Sequence, residues 1–293
     1  MKYAFLLLLF AMTCQPDVEE LVIPTHDYDT KTIVYNELDG VDPNLLSLDI
    51  YYNRHLFDRK PIVIWVHGGG WRTGDKKNQI ARKVELFQSL DYLFVSINYR
   101  LSTSTITDAN AVRFPDHNVD LANAIKWVYE NAEIYGGDPN KIALMGHSAG
   151  GHLVSLTGTN HTFLNQIGLD TDVIKGIASI DTEGYNVVDQ IERGNAIYLN
   201  AFGDDLVANR AASPIYNVTD DKRYPPFFIA KRGSRRRLAM ADAFITALES
   251  KGTIVQQVNI QNYDHAGINR AIGAANESYI TPPLIEFFES CFD

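Results

Sequence analysis

Residues 141–150 read Lys141-Ile-Ala-Leu-Met-Gly-His-Ser-Ala-Gly150. An apolar run of strand length ends at Gly146, Ser148 follows between two glycines, and a helix-compatible stretch continues to Leu156. A Gly-x-Ser-x-Gly pentapeptide at a strand-to-helix junction projects its serine from the edge of a sheet. Gly146 and Gly150 leave room for the tight backbone that such a turn requires. A serine hydroxyl becomes a good nucleophile only when it is exposed, lies beside a base and faces fixed hydrogen-bond donors. The pentapeptide alone recurs in ordinary turns, so its weight comes from its surroundings.

Upstream lies Pro61-Ile-Val-Ile-Trp-Val-His-Gly-Gly-Gly-Trp71. Ile62 to Val66 is a continuous apolar run, consistent with a strand buried on both faces. His67-Gly68-Gly69-Gly70 then breaks the pattern. Three successive glycines let backbone N–H groups approach a developing negative charge closely, which is the composition of an oxyanion hole.

His-Gly-Gly-Gly-Trp followed by Gly-His-Ser-Ala-Gly-Gly resembles the α/β-hydrolase superfamily, in its carboxylesterase and lipase branch related to hormone-sensitive lipase and kynurenine formamidase. The similarity runs from about Thr32 to the C-terminus. It takes in Asn98-Tyr-Arg-Leu101, Phe114-Pro-Asp116 and Tyr135-Gly-Gly-Asp-Pro139. The resemblance implies Ser148 as nucleophile and the N–H groups of Gly69, Gly70 and Ala149 as oxyanion hole, with no metal or organic cofactor.

A serine nucleophile needs a general base, and histidine suits neutral pH. Of the eight histidines, His26 and His55 are early and expected at the surface. His67 and His147 belong to the motifs and read as structural, and His117, His152 and His161 lie on or near helices. His265, in Asn262-Tyr-Asp-His-Ala-Gly267, follows the last expected strand, and the resemblance also places the base last in the chain. The orienting acid is less plain. The related families carry it in a Gly-x-x-Asp loop after the seventh strand, yet here that loop reads Gly233-Ser-Arg-Arg236. Asp181, ending Ile177-Ala-Ser-Ile-Asp181, is the first replacement, because some lipases of the superfamily carry their acid there. Glu183 is next, and Asp204 or Asp205 remain open. Asp242 is expected to face solvent, and Asp264 to point away from its neighbour His265.

The 293 residues, 45% hydrophobic and 21% charged, fit a single globular enzyme domain. A formal net charge of −10 argues against a nucleic-acid partner. Lys231-Arg232-Gly-Ser-Arg-Arg-Arg237 is the one dense basic cluster and reads as a solvated or salt-bridged surface loop. Lys2 and the apolar stretch from Tyr3 to Met12 are too short to span a bilayer and read as a signal peptide. Cys14 follows at once, as in a bacterial lipoprotein, although Thr13 departs from the usual small residue. Residues 1–14 are therefore expected to be a signal, 15–30 a linker and 31–293 the hydrolase domain. The protein is expected to be exported, as a periplasmic or outer-membrane lipoprotein or secreted, touching a membrane only through a lipid on Cys14. Cys291 then has no partner, so no disulfide framework supports the fold.

Apolar or alternating runs near 31–36, 45–52, 61–66, 91–98, 141–146, 174–180, 226–230 and 254–260 predict eight strands. Helical patterns between them, at 120–129, 148–156 and 238–248, predict a mostly parallel sheet with helices on both faces. The cleaner alternation at 45–52 predicts an antiparallel strand near an edge. Residues between Ile180 and Phe227, including Tyr185, Tyr198, Phe202 and Tyr216, are expected to form at most a small lid and no large cap. The resemblance implies hydrolysis of carboxylic esters; the expected lack of a large cap favours short acyl chains, and export favours an ester linked to polysaccharide beside a small-molecule one. Trp71 equally fits a formamide or amide hydrolase resembling kynurenine formamidase. Arg236 at the usual acid position fits a third reading, a non-catalytic binding protein on the hydrolase scaffold.

Overall fold

All eight apolar runs are strands. In the computed structural model, which describes residues 28–54, 59–103 and 111–293, they are β1 (Tyr28–Val34), β2 (Ser47–Asn53), β3 (Lys60–Val66), β4 (Leu93–Ile97), β5 (Gly137–His147), β6 (Ile174–Ile180), β7 (Phe227–Lys231) and β8 (Val255–Asn259). They form one sheet in the order β1-β2-β4-β3-β5-β6-β7-β8. β3 to β8 run parallel, and β1 and β2 pair antiparallel at one edge. This is the sheet of the α/β-hydrolase fold.

The helices are α1 (Ala81–Ser89), α2 (Asp116–Asn131), α3 (Ala149–Thr159), α4 (Thr162–Asn165), α5 (Val187–Glu192), α6 (Ala196–Phe202), α7 (Leu206–Ala211), α8 (Arg235–Glu249), α9 (His265–Ala271) and α10 (Thr281–Phe292). Because successive strand residues point to opposite faces, β3 sends Ile62, Ile64 and Val66 into one core and Val63 and Trp65 into the other. The first core also holds Leu121 of α2, Leu153 of α3 and Phe244 of α8. The second holds Phe87 of α1, Ile268 of α9 and Phe288 of α10.

Three details depart from the sequence reading. β1 begins at Tyr28, inside the stretch assigned to a linker, because its first residues already pair with the end of β2, Tyr28 opposite Asn53. β5 starts four residues early, at Gly137. The segment between β6 and β7 folds into the short helices α5, α6 and α7, with Tyr198 and Phe202 on the buried side of α6. Tyr185 is instead a core residue stacked on Phe244, and Tyr216 is exposed beside Arg210. The expected signal segment, with Cys14 and His26, and also His55, lie outside the described residues.

A buried ion pair fixes the chain that leaves the glycine loop. The Lys76 ammonium lies against Asp49 of β2 at 3.4 Å and also donates to Ser47 and Asn44. Its backbone N–H donates to Asn98 Oδ1 at 2.6 Å, and its carbonyl accepts from Ser96 Oγ at 2.7 Å. Both charged side chains are 1% exposed. Removing one partner leaves a charge in the interior, which costs about 3–5 kcal/mol. Asp49→Ala is therefore expected to lower unfolding stability by about that amount in urea titrations; a loss below about 1 kcal/mol would place the pair among exposed ones.

Candidate active site

The turn at Ser148 is held by backbone contacts. Ser148 lies between β5 and α3 with φ 57° and ψ −117°, a conformation costing an L-residue about 1–3 kcal/mol. Its N–H donates to the carbonyl of Ile180 at 2.9 Å, and its carbonyl accepts from His152 N–H at 3.0 Å. A Cβ on Gly146 would meet the Gly150 carbonyl oxygen at 2.3 Å, and one on Gly150 would meet the Val66 carbonyl oxygen at 2.1 Å. Any side chain at either position would push the turn apart. The helix that follows is buried along its whole length and not on one face alone, so it runs through the core as a rigid support.

His265 is the first residue of α9, and its Nε2 lies 2.9 Å from Ser148 Oγ. Its Nδ1 lies 2.7 Å from Asp181 Oδ2. Asp181 leaves the end of β6 with φ 47°, and its N–H donates to the Ala230 carbonyl at 2.8 Å. Ser148, His265 and Asp181 thus form one hydrogen-bonded chain from three elements. The tautomer that fits has Nδ1–H donating to the carboxylate and the Nε2 lone pair facing the serine hydroxyl.

The other carboxylates are engaged elsewhere. Glu183 pairs with Arg236 at 2.9 Å and Arg237 at 2.5 Å. Asp205 caps α7 and Asp264 caps α9, each accepting from a backbone N–H of its own helix. Asp242 is half exposed and pairs with Lys231. Arg236, at the position where the resemblance puts an acid, reaches Glu183 and Asp189.

Of the two states expected for the basic cluster, solvated or salt-bridged, the structure shows the second, with two of its arginines turned inward to Asp181. Arg232 Nη1 donates to Asp181 Oδ2 at 2.9 Å, and Arg237 Nη2 donates to Asp181 Oδ1 at 2.5 Å. Neither guanidinium is a solvated surface group. Burial would raise the Asp181 carboxyl above its ordinary value; the hydrogen bond from His265 and the Arg237 and Arg232 guanidinium groups outweigh burial and hold it below. The signal available in the sequence was the run of cations in a loop expected to hold an acid.

The glycine loop packs directly against the turn. A Cβ on Gly68 would lie 3.1 Å from Ser148 Cβ, and one on Gly70 would lie 3.0 Å from Ile197 of α6. Gly69, with φ 120°, accepts the N–H groups of Arg72 and Thr73 on its carbonyl, and the planar trans peptide therefore turns the N–H of Gly70 to the opposite side. Ala149 opens α3, so its N–H has no acceptor in a preceding turn. Gly69, Gly70 and Ala149 line the same cavity as Ser148, about 640 Å³ in volume. Trp71 closes one side, edge-on to His152, Tyr198 and Phe202.

His147 packs against His265. Its Nε2 lies 2.8 Å from the His265 carbonyl and its ring 4.6 Å from the His265 ring. Among the described residues, His147, Asp181 and His265 bring potential metal-ligand atoms within 4.8 Å of one another. Those atoms are committed to the hydrogen bonds above, and two guanidinium cations share the one carboxylate. The donor set suits a proton relay and not a cation.

The chain is similar to known proteins in family, sequence and fold. The BD-FAE family model matches residues 48–238. The chain is 30% identical over 228 residues to esterase LipQ of Mycobacterium tuberculosis, covering 71% of this chain and 50% of that protein. It is 25% identical over 225 residues to carboxylesterase 3B of Mus musculus, covering 71% of this chain and 38% of that protein. The chain therefore spans half or less of the length of these relatives. Among solved structures, a C6-C4 SN3 inhibited esterase B from Lactobacillus rhamnosis superposes with a TM-score of 0.73 at 18% identity, covering 90% of this chain and 87% of that one. At that identity the likeness is one of fold.

Burial pushes three imidazoles far below their ordinary value, His117 and His147 to about 3 and His152 to about 4. In the unfolded chain each titrates near about 6.5. Below that pH the unfolded chain binds up to three protons that the native protein refuses. Their contribution is complete above about pH 6.5 and is lost as pH falls, at up to about 4 kcal/mol per pH unit. Urea midpoints are expected to drop steeply between about pH 7 and about pH 5; a flat profile there would mean the imidazoles are not held neutral.

Proposed function

The chain belongs to the BD-FAE family, and we propose that it hydrolyses carboxylic esters through an acyl-enzyme on Ser148. The observation that carries this reading is the unbroken chain from Asp181 through His265 to Ser148, at 2.7 and 2.9 Å, opening on the cavity beside the glycine loop. His265 Nε2 takes the Ser148 proton as Oγ bonds to the acyl carbon. The carbonyl electrons move onto oxygen, which the N–H groups of Gly69, Gly70 and Ala149 receive. Asp181 holds the imidazole in the productive tautomer and faces the imidazolium. His265 then gives the proton to the leaving alcohol, and water, deprotonated by the same nitrogen, releases the acid.

A short acyl group suits the cavity best. Ile197 of α6 lies against Gly70, and Trp71 packs edge-on against Tyr198 and Phe202, so side chains of α6 narrow the cavity beside the glycine loop.

 The ester itself is expected to be a small molecule or a group linked to polysaccharide. The N-terminal sequence, with its short apolar stretch ahead of Cys14, supports export, as a lipoprotein or a secreted protein.

The test is the initial rate of p-nitrophenyl acetate hydrolysis. Turnover of roughly 1–100 per second is expected, typical of an enzyme. Ser148→Ala is expected to return the rate to background. Asp181→Asn is expected to lower turnover by roughly a thousand- to ten-thousand-fold, as loss of the orienting acid does in a serine protease. Equal rates for the protein and Ser148→Ala would sink the reading.

A further inference from the structure

The loop joining β7 to α8 delivers cations to the place where an acid was expected, and those cations converge on the acid that sits one strand away. We propose that Arg232 and Arg237 are positioning residues that fix the rotation of the Asp181 carboxylate and tie it to the segment carrying His265. The proposal rests on the reading of Asp181 as the acid of the Ser148–His265 pair.

Asp181 needs such a restraint. It is the first residue beyond β6, in a left-handed conformation, and its carboxylate is 1% exposed. A carboxylate on a single bond can rotate, and only one rotation points an oxygen at His265 Nδ1. Arg237 Nη2 takes Oδ1 at 2.5 Å, while Arg232 Nη1 and His265 Nδ1 share Oδ2 at 2.9 and 2.7 Å. Both oxygens are therefore fixed from outside the Ser–His–Asp chain.

Arg232 does a second thing. Its Nε donates to the Tyr263 carbonyl at 3.0 Å, two residues before His265. One planar guanidinium thus bridges the acid and the backbone leading to the base. Arg237 is braced in turn, with Nη1 on Glu183 at 2.5 Å. A lysine carries the same charge but lacks the fork, so it cannot hold two separate oxygens in one plane. Arg236 serves as the internal contrast, because it reaches Glu183 and Asp189 without touching Asp181.

The experiment pairs steady-state kinetics on p-nitrophenyl acetate with proton NMR of the same ¹⁵N-histidine-labelled protein. The NMR readout is the low-field resonance of the His265 Nδ1 proton, assigned by its loss in His265→Ala. Arg232→Gln and Arg237→Gln are expected to lower kcat by about 10- to 100-fold, as removal of a supporting hydrogen-bond partner typically does, with KM nearly unchanged. Both are expected to broaden or remove the low-field resonance. Arg236→Gln is expected to leave both readouts close to those of the unaltered protein. Arg232→Lys and Arg237→Lys keep the charge in case the glutamines impair folding, and are expected to fold, to retain the kcat loss and to weaken the resonance. If turnover is present but the arginine variants keep both kcat and the resonance, the positioning role is overturned while the esterase reading stands. If the protein shows no turnover yet the resonance depends on Arg232 and Arg237, the esterase reading fails and the positioning role stands. An absent resonance in the unaltered protein overturns the proposal.

Discussion

Ser148 occupies a backbone conformation that an L-residue adopts only under constraint, and the surrounding sheet supplies that constraint. Its N–H is held by Ile180 on β6, its carbonyl by His152 on α3, and the two flanking glycines let backbone approach backbone. Gly150 can press on the Val66 carbonyl only because β3 lies beside β5 with Val66 opposite Gly146. The turn therefore requires three adjacent parallel strands ending at one level. Once they do, the chain segments leaving β3 and β6 must both emerge next to the serine.

That register explains how residues distant in sequence meet. Val66 opposite Gly146 brings the glycines after β3 beside the hydroxyl. Ile180 opposite His147 brings Asp181 to the same edge, and Ala230 opposite Ile180 brings Arg232 one strand further on. The site needs no long excursion of the chain, only strands that end together. Short helices over the edge, with Tyr198 and Phe202 packed on Trp71, then narrow the cavity without a separate cap.

The strands were legible because a strand covered on both faces must be apolar throughout, as Ile62–Val66 and Ile142–Met145 are. The serine turn and glycine loop were legible because close backbone approach admits almost nothing but glycine. Asp181 and Glu183 could not be separated in the same way. Two residues apart in an extended segment they would share a face, and the turn at Asp181 that separates them leaves no mark in composition. A run of charges says nothing of its partners, so salt bridges were legible as a possibility but not their acceptors, which here are Asp181 and Glu183 in the segment after β6 and Asp189 on α5. Full burial of α3 had a sign in the sequence, since no charged residue falls between Ala149 and Thr159.

The place of the acid and the place of the arginines are physically linked. β6 and β7 are neighbours, so a carboxylate at the end of β6 can reach an imidazole from one strand nearer the serine than a carboxylate after β7. That position is more enclosed: Asp181 is almost wholly buried, and an unpaired carboxylate there would cost several kcal/mol. The end of β7, relieved of the acid, is the nearest point from which a cation can balance it. Either change alone carries an electrostatic cost. Asp181 without arginine would be a buried charge with only a neutral imidazole beside it, and the arginines without Asp181 would set two cations beside a base that must itself become positive. Together, Asp181, Glu183 and Asp189 against Arg193, Arg232, Arg236 and Arg237 make a network of three negative and four positive groups. An arginine where the resemblance expects aspartate is thus compatible with an intact proton relay, because the negative charge has moved one strand over and the positive charge has come to hold it.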